Sequence, residues 1–146
     1  MEAIELSFVI NRPVEEVFAY LANLENDAEW RREWVESRQT SQGPLGVGAT
    51  FRLDGEMLGR RIPTVYEVIE YEPNRTAAWK AVSGPLPLTF RRTFEGVEGG
   101  TQVTNRYEAE LHGFLKLVKP LLMNMGKRQL EGDIPKLKEL LETPAL

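Results

Sequence analysis

Apolar residues occupy every second position at Ile4, Leu6, Phe8 and Ile10, the period of a strand with one buried face. The pattern changes immediately afterwards. Pro13 has no backbone N–H to donate and suits the first turn of a helix. Glu15 and Glu16 place negative charge at the positive end of its dipole. Val14, Val17, Phe18 and Leu21 then recur at i, i+3, i+4 and i+7, which is one helical face. The spacing predicts a short helix ending near Asn23, with a second turn around residues 24–29 before Trp30.

From Trp34 to Leu111 the texture is β-rich. The segments "SQGPLGVG" (41–48), "DGEMLG" (54–59), "EPN" (72–74), "SGPLP" (83–87) and "EGVEGG" (95–100) interrupt it at regular intervals. Turn signals spaced in this way between β-branched and aromatic runs predict an antiparallel meander. About six strands are expected here, seven with the first.

Residues 112–142 have helical composition and two apolar stripes. Phe114, Val118, Leu121 and Met125 form one, while Leu130, Ile134, Leu137 and Leu141 form the other. At about 100° per residue the second lies roughly 160° around from the first. Pro120, Gly126, Gly132 and Pro135 offer places to bend. The segment is therefore expected either to kink or to bury different sides of its two halves.

Composition narrows the functional classes. A chain of 146 residues with 42% hydrophobic and 27% charged content suits one domain, 1–146, with a real core. A net charge of -4 argues against nucleic acid as partner, because phosphate binding draws on excess Lys and Arg. With no cysteine, disulfides, thiolate metal sites and cysteine nucleophiles are excluded. One histidine, His112, without an HExxH spacing, leaves no expected metal site. No P-loop, GxSxG elbow or dinucleotide fingerprint is present, and no cofactor is expected. "MEAIELSFVI" carries acidic residues where a signal peptide is basic, and no apolar run reaches the ~18 residues of a transmembrane segment. The expected location is cytoplasmic.

The order strand, small helix pair, six-stranded meander and long terminal helix resembles the START-like (SRPBCC) superfamily. Its members include polyketide cyclase/dehydratase-like proteins, lipid carriers, coenzyme Q-binding proteins and pollen allergens. The stretches carrying the resemblance are "INRPVEEVFAYLANLENDAEW" (10–30), "GPLGVGATF" (43–51), "YEVIEYEPNRTAAWKAVSGP" (66–85), "FEGVEGGTQVTNRYE" (94–108) and "LKELLE" (137–142). It implies an α+β helix-grip fold: a curved antiparallel sheet of about seven strands wrapped around a long C-terminal helix, with a cavity between them. Two short helices after the first strand would close one end, with Val17, Phe18 and Leu21 beneath the cavity and Trp30 beside it. The alternative is that those side chains simply complete the core.

Period two then assigns faces. If Phe94 and Val103 point inward, so do Leu88, Phe90 and Arg92 on one strand and Asn105, Tyr107, Ala109 and Leu111 on the next. The hairpin would pair Phe94 with Val103, Arg92 with Asn105, and Phe90 with Tyr107. Across the "EPN" turn Val68 would pair with Trp79, and Tyr66 with Ala81. An inward arginine needs a carboxylate, acceptors or water. It either anchors a ligand or pairs with a neighbouring acid. Trp79 offers a wide apolar wall or plain core packing, and Trp34 a place at the cavity mouth. The candidate ligand-binding residues are Phe18, Tyr66, Trp79, Phe90, Arg92, Asn105, Tyr107, Leu121 and Met125. Tyr107 and His112 are the candidates for catalysis, with capping or surface exposure as the other reading of His112.

The leading expectation is binding or transport of a small hydrophobic or amphiphilic molecule: a lipid, quinone, polyketide or isoprenoid-like compound. The alternative is a polyketide cyclase, dehydratase or aromatase-like enzyme. A third reading is an interaction protein that delivers ligands to a partner. Met57, Leu58 and Leu86 to Leu88 put apolar residues in turns, where they would gate a cavity or form a homodimer contact.

Overall fold

The polypeptide leaves its first strand at one edge of the sheet and must reach the opposite edge to begin its second. That single crossing explains the early helices. In the computed structural model, which describes residues 3–57, 59–84, 87–109 and 113–143, the order is β1 (Ala3–Ile10), α1 (Val14–Leu21), a 3-10 turn (Leu24–Asn26), α2 (Asp27–Trp30) and β2 (Trp34–Gln39). Then follow β3 (Thr50–Met57), β4 (Arg60–Glu72), β5 (Thr76–Ser83), β6 (Leu88–Val97), β7 (Gly100–Ala109), α3 (Phe114–Leu117) and α4 (Lys119–Glu142). The seven strands form one antiparallel sheet ordered β1-β7-β6-β5-β4-β3-β2. Strands β2 to β7 are sequential neighbours, so only the β1–β2 connection crosses the sheet. Its helices close one end of the curled sheet.

The register follows the alternation of apolar positions. Phe94 pairs with Val103, Arg92 with Asn105 and Phe90 with Tyr107. Val68 pairs with Trp79 and Tyr66 with Ala81. Irregularities at Val65/Tyr66 and Val68/Glu70 interrupt β4, and such bulges sharpen twist and bend a strand. At the closed edge, Gly100 is required by close approach: a Cβ there would lie 2.2 Å from the Ile10 carbonyl oxygen.

Helix α1 buries Val17, Phe18 and Leu21. Phe18 stands edge-on to Phe94 and Tyr71, with ring centroids 5.1 and 5.4 Å away. Helix α4 runs unbroken through Pro135 and buries Leu130, Asp133 and Leu137, packing on β1 and α2. Its last turn is tied back to the β1–α1 junction, where Arg12 Nε donates to the Leu141 carbonyl at 2.9 Å and Glu142 accepts from the Asn11 amide at 2.9 Å. The expectation of two buried sides or a kink is corrected. The second stripe is the covered one, whereas Leu121 and Met125 of the first stand in solvent, because a helix that does not break presents the two stripes on opposite sides and only one of them faces β1 and α2. Among the described residues no helix is long and apolar enough to cross a membrane.

Candidate functional site

Arg92 occupies an inward position in the middle of β6, where period two places it, and is 0% exposed. A buried guanidinium requires compensation. Asp27, at the start of α2, supplies it with both oxygens: Nη2 donates to Oδ2 at 2.7 Å and Nη1 to Oδ1 at 3.0 Å. Nη1 also donates to the Leu21 carbonyl at the C-terminal end of α1 (2.8 Å), and Nε to Asn105 Oδ1 (3.1 Å). The Leu21 carbonyl lies among the last of α1, which lack intrahelical partners. Trp30, Trp79 and Phe90 surround the guanidinium with ring centroids 5.4–5.5 Å from Cζ, a cation–π arrangement. Burial opposes the charge on Arg92, but Asp27 outweighs it and the net pKa shift is upward. This layer is a pin joining sheet to helices.

Above it, toward the end where β6 begins, lies a half-open cavity of about 210 Å³. Asp27 and Arg92 form its floor. Leu53, Tyr66, Phe90 and Tyr107 make its walls, together with Thr64, and Trp34, Gly55, Glu56, Ile62 and Leu88 its rim. Gly55 lets the Trp34 ring lie over β3, since a Cβ there would approach that ring to 3.3 Å. Phe90 stacks between Trp79 and Tyr107 at 4.9 and 5.6 Å, and Tyr66 meets it edge-on at 5.2 Å.

A second arginine, Arg31, lies along one side with Glu33. Arg31 Nε donates to Asp133 Oδ2 on α4 at 3.2 Å, Nη1 to the Tyr107 hydroxyl oxygen at 3.1 Å, and Nη2 to Glu33. Arg32 Nε reaches the other Asp133 oxygen at 2.7 Å. Burial again disfavours the Arg31 charge, but Tyr107, Glu33 and Asp27 prevail and the net shift is upward. The Tyr66 phenol is also pushed up, mainly by burial and further by Glu33 and Tyr107. It stays protonated. The Tyr107 oxygen is engaged as an acceptor, so its proton remains available to an oxygen of a guest molecule.

The structure therefore brings Tyr66, Phe90, Arg92 and Tyr107 to the cavity surface. It places Trp79 and Asn105 in the layer behind, both buried, where Trp79 backs Phe90 and Asn105 holds Arg92. Phe18 lies deeper, in the plug formed by α1. Leu121 and Met125 do not reach the cavity and are exposed, because they lie on the side of α4 opposite its buried Leu130 and Leu137. Leu58, Leu86, Leu111 and His112 lie outside the described residues. Sequence reasoning did not single out Asp27, Arg31, Glu33 or Asp133. Asp133 had a readable signal: with Leu130 and Leu137 it completes an i, i+3, i+7 stripe, and a carboxylate on a buried stripe requires a cation. Among the described residues no three metal-ligating side chains converge.

A sheet curled against a terminal helix, closed at one end by small helices and hollow at the other, defines a helix-grip ligand-binding architecture. Residues 1–142 match the family described as polyketide cyclase/dehydrase and lipid transport, and the chain belongs to it. Direct comparison with curated protein sequences finds no match. Solved structures agree on the fold. A protein from Thermus thermophilus superposes with a TM-score of 0.78 at 18% identity, over 94% of this chain and 95% of that one. A START superfamily protein from Mycobacterium smegmatis gives 0.77 at 15%, over 96% and 97%. The Zhui aromatase/cyclase from a Streptomyces species gives 0.75 at 13%, over 97% and 93%.

Proposed function

We propose that the protein binds a small, neutral, largely apolar molecule carrying an acceptor oxygen, held between the aromatic walls with that oxygen against Tyr107 and Tyr66. One observation carries this reading: an aromatic-walled cavity whose buried charges are already matched within the protein. Arg92 is engaged by Asp27, and Arg31 by Asp133 and Glu33. Among the described residues a charged guest finds no unmatched partner, whereas a ketone or quinone-type oxygen finds phenolic donors. Size narrows the class further. A cavity on the order of 150 Å³ takes a benzene-sized guest, so about 210 Å³ suits one substituted ring or a compact pair. A long lipid or isoprenoid tail has to project through the mouth.

The test pairs native mass spectrometry of freshly purified protein with thermal shifts on adding one- and two-ring aromatic ketones. The expected result is a bound apolar compound or a melting temperature that rises with ketone concentration, lost in Leu88→Trp, which fills the rim. If no compound copurifies and no ketone stabilises the protein, the reading fails.

A catalytic reading is favoured by one feature, the orientation of the Tyr107 hydroxyl by Arg31. A phenol so held can donate toward a carbonyl oxygen, as the cyclase/dehydrase chemistry in the family's description would use. Turnover of a poly-β-ketone model substrate that disappears in Tyr107→Phe even at concentrations that saturate the variant supports catalysis. Binding without any turnover by the unsubstituted protein leaves only the carrier reading.

A further inference from the structure

We infer that α3 and the first half of α4 form a docking surface for an anionic lipid bilayer. This does not rest on what fills the cavity. All the fully buried residues of α4 lie at Leu130 or beyond. Before that point, Leu117, Leu121 and Met125 are 80%, 60% and 51% exposed. Leu121 and Met125 are four residues apart on α4 and share one outward side, and Leu117, at the end of α3, is more exposed than either. Large apolar side chains aligned in this way mark a contact surface.

Charge identifies the occupant. Between Gly113 and Leu130 the chain carries Lys116, Lys119, Lys127 and Arg128 and no carboxylate, in a protein whose net charge is -4. A second copy docking through the same face would bring these cations against one another. Nucleic acid would satisfy the cations but leave the leucines and methionine against a polar backbone. A bilayer with anionic headgroups satisfies both sets: the apolar stripe enters the acyl boundary while the long basic side chains reach the phosphates.

Position connects this surface to the cavity. Leu88 on the rim pairs with Ala109, the last residue of β7, and Gly113 follows four residues later, at most ~14 Å along the chain. A bilayer gripped by α3 and α4 lies beside the cavity mouth. An apolar guest then passes between bilayer and cavity with little exposure to water.

Vesicle cosedimentation of the full chain tests this. Vesicles containing phosphatidylserine should capture the protein, pure phosphatidylcholine vesicles should not, and added salt should release it. Lys127→Gln with Arg128→Gln should weaken capture roughly thirtyfold. Leu121→Glu with Met125→Glu should lose about tenfold or more, with an unchanged melting temperature because both side chains face solvent. Equal binding to neutral vesicles, or no binding to either kind, overturns the inference. A dimer in solution that dissociates in the Leu121→Glu/Met125→Glu variant overturns it as well. So does nucleic-acid retention that the same variant leaves intact.

Discussion

Two arginines face the interior of this sheet, and their surroundings differ in an instructive way. Arg92 is enclosed by three aromatic rings and directs its donors to one carboxylate, one helix carbonyl and one amide. Arg31 is likewise buried and likewise bonded to distant parts of the chain, but one of its partners is a tyrosine on the cavity wall. A cation whose hydrogen bonds all end in the protein frame is a fastener. A cation that orients a hydroxyl facing empty volume prepares a site. Mere inward orientation does not separate the two; the identity of the partners does.

The largest expected effect comes from breaking the fastener. Asp27→Ala leaves the Arg92 charge buried without its carboxylate and should cost about 3–5 kcal/mol in denaturant unfolding. Asp27→Leu combined with Arg92→Met removes both charges and should recover most of that loss. A double variant as unstable as the single one contradicts the role given to the pair. Asp133→Ala should cost less, roughly 2 kcal/mol, since Arg31 keeps Glu33 and Tyr107. Arg32 is largely exposed, and its share of the Asp133 interaction is small.

Effects at the cavity should weigh more on binding than on stability. Tyr107→Phe is expected to weaken ketone binding by roughly five- to tenfold, the value of one hydrogen bond, and to lower stability by about 1 kcal/mol, because Arg31 Nη1 loses an acceptor. Calorimetric titration beside a denaturation curve checks both halves of that statement. The smallest effect is a pH dependence. Burial raises the Tyr66 pKa above its ordinary 10.0, so the unfolded chain loses this proton first as pH rises. Stability contributed through Tyr66 is complete below about pH 10 and declines above it. Tyr66→Phe should flatten the alkaline limb of a melting-temperature profile, although Tyr20, also shifted upward by burial and Glu29, will keep some slope.

The fold was legible because its signals are local. The alternation at Ile4 to Ile10, the turn segments and the Pro13 helix each need only neighbouring residues, and the hairpin register follows from two short turns. The walls of the cavity followed from that register: Phe90, Arg92 and Tyr107 alternate on paired strands. The charge partners did not follow. Asp27 and Arg92 are 65 positions apart, on a short helix and a distant strand, and no periodicity relates them. Period two could show that Arg92 needed an acid but not which one. The placement of Leu121 and Met125 was misleading for a related reason. An apolar stripe at helical spacing reports amphipathicity and leaves its neighbour undefined, and here α4 is buried only from Leu130 onward.

On the proposed function, guest molecules occupy the end of the sheet where Arg31 orients Tyr107 and rest on the Asp27–Arg92 floor without entering the plug around Phe18 and Phe94. The most direct measurement is side-chain NMR of the labelled protein during titration with a neutral one-ring aromatic ketone. Saturable shifts are expected at the rings of Trp34, Tyr66, Phe90 and Tyr107, with Phe18 and Phe94 unmoved. Shifts centred on Phe18 and Phe94, or none at any ring with ketone in large excess, would contradict that placement.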